Sequence, residues 1–231
     1  MFRTAFLVLS LAGALCLWAQ APAVAACTDR PAKESDWTNC KKSSLSLVGM
    51  GLQRSVMIKA DLAGTDFSQA ALQGADLSKS NLANTWFVKA DLTKSNFAGA
   101  FGTRTRFTDA NMTDADLTKV ELSRGDMIRA RLENAQMGGA QLLRVNLTGA
   151  RLKGAKLTAS NLSRAMLIGA DLSDADLRGA YLYLTRIEGT DMSGTTGLEQ
   201  WQLQIACGDA ATKLPAGLVR PGSWPCPAPE P

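Results

Sequence analysis

Two kinds of side chain in this sequence have the type and spacing to do chemistry: carboxylates and guanidiniums. Asp recurs in front of a large apolar residue, as at Asp61, Asp91 and Asp171, and Asp76, Asp116 and Asp176 are separated by multiples of 20. Stacked carboxylates could work as an acid–base pair or hold a hard cation. Arg104, Arg124, Arg144 and Arg164 fall 20 residues apart, and planar guanidinium forks grip carboxylates or phosphates. The groups that usually complete a catalytic set are missing. The chain has no His, which removes the usual general base and the commonest metal ligand. It has no Gly-rich phosphate loop, zinc motif, nucleophile elbow or Gly-x-Asp calcium repeat. The Asp residues recur at one place in a short repeat, so a structural use outweighs a catalytic one. No catalytic residue, cofactor or metal is expected, and the protein is not read as an enzyme.

What must position these side chains is the repeat itself. From Leu47 to Met192, every fifth residue is large and apolar except Gly102, over 30 positions. Two residues ahead of each centre, from Ser55 to Thr190, stands only Ala, Ser, Thr, Gly or Val. A period of five suits neither a helix nor a strand: on a helix, successive centres would be about 140° apart and would spray around the cylinder. One large and one small residue sent inward every five positions fits a chain that turns a corner every five residues. Such a unit buries nothing alone and needs neighbours above and below, which is the logic of a solenoid.

The unit Ala-(Asp/Asn)-Leu-x-x, plain at Ala60-Asp61-Leu62, Ala90-Asp91-Leu92 and Ala170-Asp171-Leu172, resembles the pentapeptide-repeat family. The segment Ala206-Cys207-Gly208-Asp209, with Leu214-Pro215-Ala216-Gly217-Leu218, Arg220-Pro221 and Trp224, resembles a C-terminal segment found after such repeats. The resemblance implies an all-β fold: a right-handed quadrilateral β-helix of about seven coils, four pentapeptides to a coil. A short C-terminal capping helix is expected over 198–206, with Leu198, Trp201 and Ile205 on its apolar face and Gly208 as its C-cap.

The resulting organisation is a signal peptide at 1–26, an N-terminal cap at 27–46, the β-helix at 47–194, and a capping helix with an extended tail at 195–231. Arg3, the apolar stretch from Ala5 to Trp18 and the Ala23-Val24-Ala25 site read as a secretory signal, directing the chain to the bacterial periplasm. Val24-Ala25-Ala26-Cys27 also resembles a lipoprotein box, so a lipid anchor on Cys27 is the alternative location. No transmembrane segment is expected after signal removal. With four cysteines beyond the signal, two on each side of the repeats, and rod ends roughly 35 Å apart at ~4.8 Å per coil, the expected disulfides are Cys27–Cys40 and Cys207–Cys226. Trp37 is expected to cover the open end of the first coil.

If residues 20 apart stack, the outward positions sort into four faces. Those around Leu52 and Met57 carry mostly Asp, Asn, Thr, Ser, Lys and Gly. The face around Leu62 carries the four arginines at its corner, neutralised in part by Glu121, Asp126 and Asp109, with Phe101, Leu143, Tyr181, Tyr183 and Leu184 beside them. The adjoining face around Phe67 carries Trp86, Val88, Ile128, Met166 and Ile168. Gly102 leaves a gap in the core, which Phe101 turning inward or a local bulge would fill. Arginine at a solenoid corner can be simply a long solvated side chain; arginine together with exposed apolar residues is also what a docking surface uses, and both readings stand at this point. The expected partner-binding set is Arg104, Arg124, Arg144, Arg164, Trp86, Ile128, Leu143, Met166, Ile168, Tyr181 and Tyr183.

The preferred reading is an exported scaffold or interaction module for an unidentified protein partner, with self-association as another use of the strip. The second reading is a binder of an anionic envelope polymer or lipid. A gyrase-interacting DNA mimic is disfavoured, because the formal charge is +4 rather than strongly negative and the signal directs the chain elsewhere. Nucleic acid is not expected as a partner on the same ground of location.

Overall fold

A computed structural model describes residues 27–226; the expected signal peptide and the last five residues lie outside this span. The chain is a β-helix solenoid whose coils each take 20 residues. The residue before each centre forms a parallel bridge to its equivalent 20 residues on, as in Asp61↔Asn81, Asn81↔Phe101 and Asn161↔Tyr181. Each pentapeptide turns on a bond from the N–H three residues past the centre, for example Thr65 N to Leu62 O at 3.0 Å. The residue two past the centre takes a left-handed backbone, with φ between 52° and 61° wherever it is not glycine; this is the third position of a type II turn. That conformation is unfavourable for an L-residue. The stack holds it by pairing the corner N–H with the next coil, as in Lys79 N to Ala98 O at 3.0 Å.

From Leu47 to Met192 every central side chain is buried, Gly102 having none, and the core is continuous. On the Phe67 face, Phe67, Phe87 and Phe107 stack with ring centres 5.1 and 5.0 Å apart, and Phe97 from the opposite face meets Phe87 and Phe107 edge-on at 5.7 Å. The small residues beside the centres let neighbouring walls approach. Where they are Thr, the hydroxyl donates to a carbonyl of the coil below, as Thr85 does to Leu62 O and Thr105 to Leu82 O, both at 2.9 Å.

The five-residue register begins earlier than Leu47. Asp36 bridges Val56 and Lys41 bridges Asp61, so Trp37 and Lys42 hold central positions within what the sequence assigns to a cap. Trp37 is fully buried, and the Lys42 ammonium lies 4.5 Å over its ring. Cys40 fills the small inward slot before Lys42 and is bonded to Cys27, with Cα atoms 5.5 Å apart.

At Gly102 the core does not recruit Phe101, which stays outward at 47% exposure. The backbone adjusts instead. Phe101–Thr103 (β1) and Glu121–Ser123 (β2) form the one pair of extended three-residue strands among the described residues, parallel and in register. A Cβ on Gly102 would lie 2.7 Å from the Leu82 carbonyl carbon, so this backbone path accepts no side chain.

The C-terminal end differs from expectation in three ways. First, the helix α1 spans only Gln200–Gln204. Trp201 faces solvent, with its indole N–H donating to Glu199 at 2.9 Å, while Gln202 and Leu203 are buried. Second, Gly208 does not end the helix: Ile205 is the C-cap, and Gly208 is needed because a Cβ there would lie 2.5 Å from the Trp224 ring. Third, bridges to the stack resume between the helix and Lys213, ahead of the expected extended tail. Arg186 pairs with Cys207 and Asp191 with Lys213, 21 and 22 residues on, so the ladder continues past the helix. Trp224 is buried against this end and donates its indole N–H to Ala206 O at 2.8 Å. Cys207 is bonded to Cys226. No helix among the described residues is long and apolar enough to cross a membrane.

Candidate functional site

The corner of the Leu62 face is built by the backbone before any side chain is considered. Arg104, Arg124, Arg144 and Arg164 have φ of 58°, 55°, 57° and 57°. Their N–H groups donate to the carbonyls of Ser123, Leu143, Ser163 and Tyr183 at 3.1, 3.0, 3.0 and 2.8 Å. This fixes four identical backbone settings in consecutive coils, ~4.8 Å apart, each sending an exposed arginine into solvent. Among the described residues none of the four makes an ion pair. The acids expected to neutralise them are otherwise engaged or distant. Asp109 takes both arms of Arg129 at 2.7 and 2.8 Å, and Asp126 accepts the Ile128 N–H at 3.0 Å. Glu121 remains exposed on the same face without reaching a guanidinium.

Beside this corner runs a row of alternating size: Ser123, Leu143, Ser163, Tyr183. Leu143 and Tyr183 stand 39% and 42% exposed, while Ser163 between them is buried at 7%. The result is a cleft with Ser163 as its floor, Leu143 and Tyr183 as its walls and Arg124, Arg144 and Arg164 along its rim. Ser163 is held down because its hydroxyl donates to Asn161 Oδ1 at 2.6 Å. Tyr181 stacks on Tyr183 with centroids 6.2 Å apart and planes 12° from parallel, which stiffens the aromatic wall.

Not all of the expected apolar residues join this cleft. On the Phe67 face Trp86 bridges Arg106, Arg106 bridges Asp126, Asp126 bridges Asn146, and only then comes Met166. Three polar coils therefore separate Trp86 from Met166, and Trp86 is covered in part by the Arg106 guanidinium at 5.3 Å. Ile128 and Ile168 are half-buried, and Met166 is exposed. The apolar residues of this face are separate islands rather than a strip, and the structure gathers Leu143, Tyr181 and Tyr183 with the arginines. Ser123 and Ser163 are the members that side-chain chemistry alone did not pick out; their alternation with Leu143 and Tyr183 at 20-residue spacing was the available signal.

The repeated Asp and Asn residues have a structural use. Each bonds the N–H two residues on, as Asp76 does to Ser78 at 2.9 Å, Asp116 to Thr118 at 2.8 Å and Asp171 to Ser173 at 3.0 Å, the Asx-turn pattern. A hydrogen bond from Arg178 holds the Asp176 carboxyl down at about 2. A hydrogen bond from Lys213, helped by Ser193, holds Asp191 equally low. Among the described residues no group of His, Cys, Asp and Glu is arranged to hold a metal ion.

With coils, corner and cleft in place, the class is defined by the pentapeptide. Residues 52–84, 87–124, 126–164 and 155–194 match the family model "Pentapeptide repeats" in eight copies, and the chain belongs to this family. Pentapeptide-repeat proteins are generally structural or interaction proteins. No curated protein matches the chain. Among solved structures it is similar to HetL, a pentapeptide repeat protein involved in heterocyst differentiation regulation from Nostoc sp. strain PCC 7120. Identity there is 23% over 82% of this chain and 91% of that one, with a TM-score of 0.31. It is also similar to full-length QnrB1, a plasmid-mediated fluoroquinolone resistance protein, at 14% identity over 75% of this chain and 93% of that one, with a TM-score of 0.31. A pentapeptide repeat protein from the Arabidopsis thaliana thylakoid lumen is 30% identical over 51% of this chain and 68% of that one, with a TM-score of 0.25.

Proposed function

We propose that the protein is an exported, non-enzymatic scaffold that docks a protein partner on the corner formed by Arg104, Arg124, Arg144 and Arg164. Leu143, Tyr181 and Tyr183 supply the apolar part of the contact, with Met166 and Ile168 at its edge. Trp86 and Ile128 stand apart and are left out. The observation that carries this reading is the run of four exposed arginines in consecutive coils with no carboxylate among the described residues paired to any of them. Like charges stacked this closely repel, so the array is better suited to a ligand than to the fold. Export is supported by the signal-like start and by two disulfides, which are compatible with an oxidising compartment. In the disulfide-bonded form the Cys27 sulfur is occupied by Cys40, which favours a soluble exported rod over a lipid-anchored one. The rod is taken to wind right-handed, as the family resemblance implies, with α1 as part of its C-terminal cap.

The same arginines would attract an anionic polymer or lipid. The apolar walls favour a protein, since Leu143 and the paired tyrosines offer contacts that a purely anionic chain leaves unused. Site-specific photo-cross-linking in the exporting cell tests this. A cross-linker at position 143 should give a discrete protein adduct that disappears in the Arg124→Glu/Arg144→Glu background, and one at position 118 on another face should not. Equal adducts from both positions, or adducts indifferent to the arginines, would sink the proposal.

A further inference from the structure

We infer that the cleft over Ser163 receives one apolar or aromatic side chain of an extended acidic segment, whose carboxylates run along the arginine corner. This rests on the docking reading above and narrows it to a linear peptide determinant. Two features of the corner set the geometry. The rungs from Arg104 to Arg164 span about 14 Å, three intervals of ~4.8 Å. An extended chain rising ~3.3 Å per residue covers that in about four residues, so two or three acids at alternate positions, about 6.6 Å apart, can each reach a guanidinium of the row. The cleft sets the rest. Leu143 and Tyr183 are two coils apart with only Ser163 between them, so the gap is about 9.6 Å between backbones. That is room for one inserted side chain with walls on both sides. One wall is aliphatic and the other is a tyrosine stiffened by Tyr181, so the insert is apolar rather than hydroxylated.

Backbone pairing argues against a strand added edge-on. The coil N–H and C=O groups at this corner are already spent between coils, as Arg144 N is on Ser163 O and Arg164 N on Tyr183 O. Recognition therefore falls to side chains: guanidinium to carboxylate in pairs, and ring or branched chain into the cleft. Ser163 acts as the specificity-determining residue, because its small, tied-down side chain keeps the cleft open.

The test is a selection from a random twelve-residue peptide display library on the intact disulfide-bonded protein, counter-selected on the Arg124→Glu/Arg144→Glu/Arg164→Glu variant. Circular dichroism and thermal unfolding establish that the variant is folded. The expected enrichment is for Asp or Glu at alternate positions next to Phe or Leu. A synthetic peptide of that sequence should lose at least ten-fold in affinity when Gln replaces its acids. It should also lose about ten-fold on the Ser163→Tyr variant, which closes the cleft without changing net charge; Tyr183 shows that this backbone position accepts the ring. Binding should weaken steeply from 50 mM to 500 mM salt. Peptides enriched without acids, or indifferent to Ser163→Tyr, would overturn the inference while leaving a protein-docking corner intact. A polyuronate that binds in an arginine-dependent way where no peptide is enriched would overturn the inference and the protein-partner reading together.

Discussion

Arg144 occupies a backbone setting that most residue types avoid. Its φ of 57° costs an L-residue on the order of 1–2 kcal/mol, and Asn or Gly would suit the corner better. The chain places arginine there four coils running, and nothing in the fold requires it. Gly102 shows the opposite case, a residue the backbone path does require. Ala in a strand is ordinarily better than Gly by about 0.5–1 kcal/mol. Here its methyl would press on the Leu82 carbonyl at 2.7 Å, so Gly102→Ala is expected to destabilise by about 1–3 kcal/mol in urea unfolding; a neutral or stabilised variant would contradict this account of β1. Asp176 and Asp191 set the acid limit. Both carboxyls are depressed to about 2 from an ordinary 3.8. A carboxyl lowered in the folded state stabilises above its unfolded value, and that contribution drains as pH falls through the folded one. Thermal stability should therefore hold from pH 7 to 5 and decline between about 4 and 2. Asp176→Asn/Asp191→Asn should be less stable at neutral pH and flatter below pH 4. A decline already complete at pH 5 would point to other groups.

At the scale of elements, the ends of the stack are the demanding part. Within the stack, the carbonyl two residues before a centre accepts from the next coil, as Ala140 O does from Asn161 N and Ser160 O from Tyr181 N, both at 2.8 Å. Above Ala180 the helix α1 intervenes and the bond is made by a side chain. Gln202 Nε2 donates to Ala180 O at 2.7 Å and to Leu177 O at 3.1 Å, while its Oε1 accepts the Glu199 N–H at 2.6 Å. Gln202→Leu keeps the volume but orphans these groups, at a cost of about 1–3 kcal/mol. Hydrogen exchange should accelerate at Leu203–Cys207 and little elsewhere; unchanged protection there would show that Gln202 does not hold the end. This is also where the sequence was least legible. The coils were readable because one large apolar residue recurs every five positions. The first coil was hidden because Lys42 stands where an apolar residue should be, made acceptable by lying over Trp37. Trp201 looked like a core residue, but a five-residue helix has one buried side and Gln202 took it. The arginine corner was legible from 20-residue spacing once the family resemblance implied four pentapeptides to a coil. The cleft was not, because it is made by what Ser163 lacks.

For the whole molecule, the solenoid turns a short repeat into a ruler. Any residue type repeated every 20 positions becomes a straight row at ~4.8 Å spacing, and each contact is with neighbouring coils only. Rows of Asp and Asn bond their own turns. The guanidiniums of the arginine row pair with no carboxylate among the described residues; a row kept for a partner, as proposed, opposes stability in the free protein. The most direct test needs no partner: thermal unfolding of the wild type and of Arg124→Gln/Arg144→Gln at 10 mM and 500 mM salt. Gln is the chosen replacement because Gln69 already occupies an equivalent corner with φ of 60°. Relief of like-charge repulsion is worth about 0.2–0.5 kcal/mol per pair and is screened by salt. The account predicts a variant that is more stable than wild type at low salt and equal to it at high salt. A variant less stable than wild type at both salts would show that the arginines hold the rod together, and would contradict the claim that they await a ligand.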